Sequence, residues 1–271
     1  CNREVKFQPF REHALRLGAD FVATGHYARL ESAKDGPHLL RAADENKDQT
    51  YFLAAVERSL FERVLFPIGG LSKPEVRDLA GKAGLPNHQR RDSTGICFIG
   101  ERPFQQFLAQ YLKPQPGPIE DENGKKLGEH QGLMFHTLGQ RRGLKIGGQR
   151  GAQESPWYVI AKDSARNAVV VSQDTEHPRL MSRTLITAPF HWIRRPDPLP
   201  APLHTRIRHR QVLQSCSASL LDNGGVQVVF QQPQRAAVSG QYLALYDGDE
   251  CLGAGEIETT IQNSAMRQPI L

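Results

Sequence analysis

The stretch Phe21-Val22-Ala23-Thr24-Gly25-His26-Tyr27 decides the fold class of this 271-residue chain. It begins as a short apolar strand and ends in a Gly-His turn. Four apolar residues at helical spacing precede it: Phe7, Phe10, Ala14 and Leu17. Gly18 then stands where a helix C-cap is expected. A helix leading into such a strand predicts an α/β sheet, in which ligands bind beyond the carboxyl ends of strands. Gly25 and His26 therefore mark the edge of a site, or else a plain tight turn in which glycine supplies an unusual φ.

Two further helices are predicted before residue 113. Ser72-Lys73-Pro74-Glu75 has the S-x-x-E pattern of a capping box, and the helix that it starts is predicted to end at Gly84. The other helix begins near Pro103 and runs into the segment 113–118, which contains three prolines. Because these prolines cannot continue a helix, we place a domain boundary there.

The second half of the chain has the pattern of short strands separated by turns. Residues 157–160 and 168–171 flank a turn-rich segment and predict a β-hairpin. A second proline-rich stretch, residues 196–202, precedes five strand-like segments: 205–211, 217–221, 226–230, 242–246 and 250–257. With Asn-Gly-Gly and Asp-Gly-Asp turns between them, these segments predict a small β-barrel or sandwich.

Composition and charge place the chain among soluble globular proteins, since 39% of its residues are hydrophobic and 23% are charged. No apolar run approaches the roughly 18 residues of a membrane span, and the first residues lack the apolar region of a signal peptide. The four cysteines form no C-x-x-C pair, which argues against a zinc ribbon or a disulfide scaffold and favours a reducing cytoplasm. A formal net charge of +5 favours a polyanionic partner only modestly.

Cys97 lies in a glycine-bracketed run, residues 92–100, directly after the pair Arg90-Arg91. Cations and exposed backbone N–H groups stabilise a thiolate, which is the nucleophilic and sulfur-carrying form of cysteine. The alternative is a small buried hydrophobe, which is what most free cysteines are. The run by itself favours that alternative.

Basic residues cluster in two further segments. If residues 204–211 are extended, their period of two places four cationic side chains on one face: His204, Arg206, Arg208 and Arg210. Like charges so close together repel without a partner, which favours RNA over a solvated sheet face. The segment 140–145, which contains Arg141 and Arg142, is either a flexible arm that contacts a phosphate or a surface loop.

Lys47-Asp48-Gln49 stands where a polar loop turns into an aromatic helix start. A cation, an anion and an amide in succession can grip a nucleotide. The alternative, which the local sequence favours, is a capping turn in which Asp48 accepts hydrogen bonds from helix N–H groups.

Together these strings closely resemble the tRNA-specific 2-thiouridylase family, which replaces the C2 oxygen of the wobble uridine with sulfur. Five motifs match in order: residues 23–27, 46–49, 92–100, 132–144 and 251–253. The match runs from Cys1 to about Ile257. Five separated motifs are far more specific than any one of them.

The resemblance implies that ATP, with Mg²⁺, adenylates the uridine and that a cysteine persulfide delivers the sulfur. Cys97 aligns with the persulfide cysteine, and Cys1 aligns with a second nucleophile that can form a transient disulfide with it. Gly25 aligns with a backbone contact to ATP. The positions that align with tRNA contacts are His26, Lys47, Asp48, Gln49, Arg208, His209 and Gln241. His209 departs from the family pattern, which has tyrosine there, although an imidazole can also stack on a base.

The implied architecture is α/β plus β in three domains: the C-terminal part of a Rossmann-like catalytic domain over residues 1–112, a small central α+β domain over 113–180, and a tRNA-binding β-barrel over 181–271. The expected partners are the anticodon arm of tRNA and a sulfur-relay donor protein, with no membrane association, no metal ligand set and a monomeric chain. The family's phosphate-binding loop, of the Ser-Gly-Gly-x-Asp-Ser type, has no match in the sequence. We therefore expect residues before Cys1 to supply it, and the chain without them to be inactive.

Two other interpretations stay open at this point. A non-catalytic RNA-binding module would use the basic segments and keep the cysteines as structural residues. A redox protein would join Cys1 and Cys97 in a regulatory disulfide without any nucleotide.

Overall fold

The computed structural model describes residues 1–90, 104–146, 155–200 and 202–262, and for residues 104–106 it describes the backbone alone. Cys97 and the run 92–100 lie outside the described residues. The helices are a π-helix Asn2–Phe10, α1 Arg11–Arg16, α2 Thr50–Leu53, α3 Lys73–Lys82 and α4 Phe104–Ala109, with 3-10 turns at Arg58–Phe61, Leu133–Phe135 and Pro178–Leu180. The strands are β1 Val22–Ala23, β2 Ala28–Ala33, β3 Gly36–Arg41, β4 Val64–Leu65, β5 Gly117–Glu120, β6 Lys126–His130, β7 Tyr158–Asp163, β8 Ala168–Ser172, β9 Met181–Thr187, β10 His191–Trp192, β11 Leu203–Arg206, β12 Gln214–Leu220, β13 Val226–Arg235, β14 Tyr242–Asp247 and β15 Glu250–Gln262.

The predicted helix and strand of the first 27 residues are confirmed, and β1 pairs in parallel with β4. Gly18 ends the helix with a φ of +93°, which an L side chain rarely adopts. The apolar stripe differs from expectation, because Phe7 is buried whereas Phe10 and Leu17 are exposed. The π-helical turn explains part of this difference, since i→i+5 bonding shifts the faces that a 3.6-residue period predicts.

Six strands form the predicted β-barrel in the order β14, β11, β12, β13, β9 and β15, and the pairing of β14 with β15 closes it. The Asn-Gly-Gly turn joins β12 to β13, with Cys216 opposite Phe230 in the register. Both residues are buried, as are most inward-facing residues of β14 and β15. The segment predicted as a strand over 205–211 is shorter, because β11 ends at Arg206.

The hairpin of β2 and β3 continues the barrel sheet, since Glu250 of β15 pairs with Leu40 of β3. The Arg41 N–H also donates to the Asp249 carbonyl at 2.9 Å. One hydrophobic core serves both parts: it joins Phe7, Leu39, Leu53 and Phe61 to Ile193, Tyr246, Cys251 and Ala254. Residues 1–90, 183–232 and 238–261 accordingly form one compact unit.

The second compact unit comprises residues 91–182, 233–237 and 262–271. Its sheet has the order β6, β5, β8 and β7, and the predicted hairpin is confirmed as β7 and β8. The helix α4 ends at Ala109, before the proline-rich segment 113–118, and the last two residues of that segment, Gly117 and Pro118, begin β5. Pro118 pairs with Glu129 of β6, and the parallel pairing of β5 with β8 begins one residue later, at Ile119.

The predicted capping box is confirmed at the start of α3. The Glu75 N–H donates to Ser72 Oγ, and the Ser72 N–H donates to Glu75 Oε2 at 2.7 Å. Gly84 follows the helix with a φ of +69°. Among the described helices, none is long and apolar enough to cross a membrane.

Candidate functional site

His26 is held in an aromatic cage directly after β1. Its ring lies 5.7 Å from that of Phe7 and 5.8 Å from that of Phe66, and its Nδ1 lies 2.8 Å from Thr24 Oγ1. Burial, with the nearby Lys6 ammonium as a smaller cause, lowers the pKa of His26 from 6.5 to about 4. The imidazole is therefore neutral at physiological pH and acts through hydrogen bonds and ring contacts.

Gly25 leaves the backbone at the carboxyl end of β1 open. A Cβ built on Gly25 would meet no atom within 4 Å, so a ligand can approach the peptide closely. This position fits the sequence-based expectation of a backbone contact to a nucleotide at this edge of the sheet.

Asp48 turns inward rather than toward solvent. Its side chain is fully buried, and Oδ2 forms an ion pair with Arg206 Nη2 at 2.9 Å. Its carboxylate also accepts hydrogen bonds from the Ala42 N–H and from the Thr50 hydroxyl and N–H. These bonds match the capping-turn interpretation, and they direct the Asp48 charge to the interior of the unit.

Gln49 joins the same motif to the end of β1. The Tyr27 N–H donates to Gln49 Oε1 at 2.9 Å, and the Gln49 N–H donates to the Tyr27 carbonyl at 2.8 Å. Lys47 is half-buried at the start of the motif. The segment that follows His26 and the segment that contains Lys47 and Gln49 are therefore fixed side by side.

The predicted cationic stripe on residues 204–210 is wrong. Arg206 is 3% exposed, and its guanidinium lies over the Tyr246 ring at 4.9 Å while it pairs with Asp48. The chain then turns, with the Gln211 N–H donating to the Arg208 carbonyl at 3.1 Å. Because the strand ends at Arg206, the period of two stops there, and only Arg208 and Arg210 of the three arginines are exposed.

His209 lies in this turn and packs against Phe52 of α2. The ring centroids are 4.4 Å apart and the rings are tilted by 31°. His209 Nε2 lies 2.9 Å from the Asp48 carbonyl oxygen, and burial lowers the pKa of the imidazole. The signal for Phe52 in the sequence is the aromatic pair Tyr51-Phe52 close behind the polar motif, but nothing local in the sequence indicates its contact with His209.

Tyr51 fixes three segments around this turn. Its hydroxyl lies 3.1 Å from the Ile207 carbonyl oxygen and 2.9 Å from that of Tyr242. Burial raises the pKa of Tyr51 to about 12, so the hydroxyl remains a donor. Gln241 precedes Tyr242 and is half-buried, and its Oε1 has no hydrogen-bond partner among the residues that the structure describes.

Cys1 is an exposed free cysteine at the N-cap of the π-helix. The Cys1 carbonyl accepts the N–H groups of Val5 and Lys6, and Asn2 Nδ2 donates to the Phe52 carbonyl at 3.1 Å. The π-helix thus contacts the Phe52 carbonyl at Asn2, its first residue, and contributes Phe7 to the His26 cage. Asn2, which follows Cys1, and His209 both contact Phe52, so the start of the π-helix and the turn after β11 meet at α2.

The other described cysteines have no access to solvent. Cys216 and Cys251 are buried in β12 and β15, and burial raises the pKa of each thiol to about 12. Both are therefore inert core residues. Across the described ranges, no group of three or more His, Cys, Asp and Glu side chains is placed to hold a metal ion.

The segment 140–145 is an anchored surface loop rather than a flexible arm. Leu144 and Ile146 are buried in the core of the second unit, and Gln140 holds the turn through its side-chain bonds to the Thr137 N–H and the Arg142 carbonyl. Arg141 and Arg142 remain exposed.

Comparisons with known proteins define the class of protein to which this fold and site belong. Three family models match consecutive parts of the chain. They are described as a tRNA methyl transferase HUP domain over residues 1–101, a tRNA methyl transferase PRC-barrel domain over residues 105–173, and an aminomethyltransferase β-barrel domain over residues 182–257. The class is thus a HUP-type α/β domain followed by two β-rich domains in a family of tRNA-directed proteins.

The relatives specify the family within that class. The chain is 54% identical over 261 residues to the tRNA-specific 2-thiouridylase MnmA of Alcanivorax borkumensis, which covers 96% of this chain and 71% of the relative. It is 51% identical to the protein of the same name from Pseudomonas putida, and the match covers 95% of this chain and 69% of the relative. It is 47% identical to the protein of the same name from Nitrosococcus oceani, where the match covers 96% of this chain and 71% of the relative. The chain belongs to the tRNA-specific 2-thiouridylase family.

Proposed function

We propose that the protein is a tRNA-uridine 2-sulfurtransferase that replaces the C2 oxygen of the wobble uridine with sulfur in an ATP-dependent reaction. The observation that carries this proposal is the identity of about half of the residues to named 2-thiouridylases over nearly the whole chain, with Cys1 exposed and its neighbour Asn2 bonded to Phe52. The family models carry methyl-transferase names. We assign the reaction from the names of the relatives rather than from those of the family models, because the relatives match nearly the whole chain.

The reaction that we propose uses two cysteines, Cys1 as the nucleophile and Cys97 as the carrier of the persulfide. ATP transfers AMP to the C2 oxygen of the uridine with release of pyrophosphate, which makes that oxygen a good leaving group. The Cys1 thiolate attacks the inner sulfur of a persulfide on Cys97, forms a disulfide and releases hydrosulfide. The hydrosulfide adds to C2 and AMP departs, after which an external thiol reduces the disulfide.

ATP fits the open backbone at Gly25, and we propose that the peptide there contacts the nucleotide. Its Mg²⁺ would accompany the phosphates. His26 is placed beside this edge as a neutral ring, which suits a contact to an uncharged base.

For tRNA contact we propose Lys47, Gln49, Arg208, His209 and Gln241. Arg208 is exposed, and the other four are half-buried on the same compact unit. Asp48 contributes to this surface through its backbone, because its carbonyl lies at His209 Nε2 while its carboxylate pairs with Arg206. We also propose that a sulfur-relay protein loads Cys97 and that the chain acts as a monomer.

The proposal is tested by measuring 2-thiouridine in digested tRNA after incubation with ATP and a persulfide donor. The assay uses this chain and, in parallel, the same chain preceded by the phosphate-binding segment of a relative. We expect Cys1→Ser and Cys97→Ser each to lower product formation at least 100-fold, and Cys216→Ala to retain it as the matched cysteine control. Unchanged product formation by Cys97→Ser would overturn its assignment as the sulfur carrier.

A further inference from the structure

Phe52 is an exposed aromatic side chain in the first compact unit, with 50% of its surface accessible. Its ring has Tyr51 at its edge, with centroids 5.7 Å apart and planes at 73°, and the His209 ring near its face at 4.4 Å. The two supporting rings set Phe52 apart from the singly exposed phenylalanines of the unit, because they make it part of an aromatic cluster at the surface. The exposed half of Phe52 is available to another planar group, since aromatic rings pair in offset-stacked and edge-to-face arrangements.

The surroundings hold Phe52 and His209 in place. The Phe52 carbonyl accepts a hydrogen bond from Asn2 Nδ2 at 3.1 Å, and the Phe52 N–H donates to the Gln49 carbonyl at 3.0 Å. His209 is bonded through Nε2 to the Asp48 carbonyl, and its own carbonyl accepts from Arg206 Nη1 at 3.1 Å. A ligand that stacks here would therefore meet two ordered rings and lose little free energy in ordering them.

The charges around the two rings favour an anionic backbone. Arg208 and Arg210 are exposed on either side of His209 in the turn after β11. The acidic side chain closest in sequence to Phe52, Asp48, is fully buried in its pair with Arg206 and presents no charge at the surface. A flat aromatic surface flanked by arginines is the arrangement that binds single-stranded nucleic acid.

We propose that Phe52, supported by His209, stacks on an unpaired base of the tRNA anticodon loop and positions that loop beside Cys1. The inference rests on the proposed function and extends it, since it adds a hydrophobic contact to the polar and charged ones. The stacking contact selects single-stranded loops over duplex RNA, because the bases of a duplex are already stacked on each other.

The test follows the fluorescence of an anticodon stem–loop RNA that carries 2-aminopurine at each unpaired loop position in turn. Stacking on Phe52 quenches this fluorophore at the contacted position when the RNA binds the full chain. We expect Phe52→Leu to abolish that quenching at saturating protein and to weaken binding about tenfold. Phe52→Trp keeps a ring and is expected to retain the quenching.

Two control variants separate stacking from charge and from exposure. Arg208→Gln is expected to weaken binding and to flatten its salt dependence, yet to keep the quenching at saturation. Phe21→Leu removes a comparably exposed phenylalanine of the same compact unit. We expect it to change neither the affinity for the RNA nor the quenching.

Equal quenching in the wild type and in a folded Phe52→Leu variant would overturn this inference and leave the proposed function intact. Loss of quenching in Phe52→Trp as well would also overturn it, because a ring would then not be sufficient. A wild-type chain that does not bind the stem–loop at all would overturn the proposed function and this inference together.

Discussion

The protonation state of His26 is determined by its surroundings in the fold rather than by the residue type alone. The sequence places it after an apolar strand, but it does not reveal that Phe7 and Phe66 enclose its ring. The cage excludes water, so the charged form of the imidazole is disfavoured. As a consequence, folding stability depends on pH through this residue.

We expect stability to fall as the pH is lowered from about 6.5 toward 4. In that range the unfolded chain binds a proton at His26 whereas the folded chain does not, since burial lowers the folded pKa to about 4. The contribution of the neutral His26 ring to the free energy of unfolding is fully present well above pH 6.5. By pH 4 the free energy of unfolding is lower by about 3 kcal/mol. Urea unfolding of the wild type and of His26→Phe at pH 7, 6, 5 and 4 measures this contribution as the difference between the two pH dependences. Identical pH dependences would rule out the caged histidine as the cause.

At the scale of elements, the end of β11 controls which arginines face the solvent. Alternation along residues 204–210 predicts four cationic side chains on one face, but it contains no signal for where the strand stops. Gln211 provides that stop, because its side-chain Oε1 accepts the Ile207 N–H at 2.9 Å and its own N–H closes the turn on Arg208. Arg206 is left as the last residue of the strand, where Asp48 is its buried partner.

Replacing Arg206 with Met is expected to destabilise the first compact unit by about 3–5 kcal/mol, because it leaves the Asp48 carboxylate buried without its cation. Arg208→Met, two residues later and exposed, is expected to change stability by less than about 0.5 kcal/mol. The free energies of unfolding are measured in urea. Adding Asp48→Asn to Arg206→Met should recover part of the loss, and no recovery would show that the two side chains do not act as a pair.

The sequence predicted the helices, most strands and the barrel because these depend on local periodicity and turn residues. The capping box at Ser72 and the glycines at positions 18 and 84 are local signals of this kind. The inward turn of Asp48 and the Phe52–His209 contact depend on residues more than 150 positions apart, and a single sequence contains no record of such pairing. The roles of Cys1 and Cys97 came from the family resemblance rather than from their local patterns.

At the scale of the whole molecule, residues 1–90 and the barrel share one core and one sheet. The three family models divide the chain by sequence, near residues 103 and 178, whereas the compact units divide it by contact. The division predicted at residues 112 and 180 stays a prediction. The shared core, in which Leu39 and Leu53 meet Tyr246 and Cys251, indicates that the two parts stabilise each other.

Separating these parts is therefore expected to unfold both. Residues 1–112 and 181–271 expressed as independent chains would each expose the apolar surface that the other covers, and the melting transition of each should be lost or strongly broadened. Mixing the two chains should restore a cooperative transition, and circular dichroism on heating measures it. Two sharp transitions from the isolated pieces would show that each part has a sufficient core of its own.

The pairing of Leu40 with Glu250 also determines when the molecule can fold during its synthesis. A ribosome adds residues from the amino end at a limited rate, so the first 90 residues emerge well before β15 exists. Until Tyr246, Cys251 and Ala254 have left the ribosome, the core around Phe7, Leu39 and Leu53 lacks its partners from β14 and β15. The nascent chain thus carries an incomplete apolar face until the barrel strands that complete this core have been synthesised.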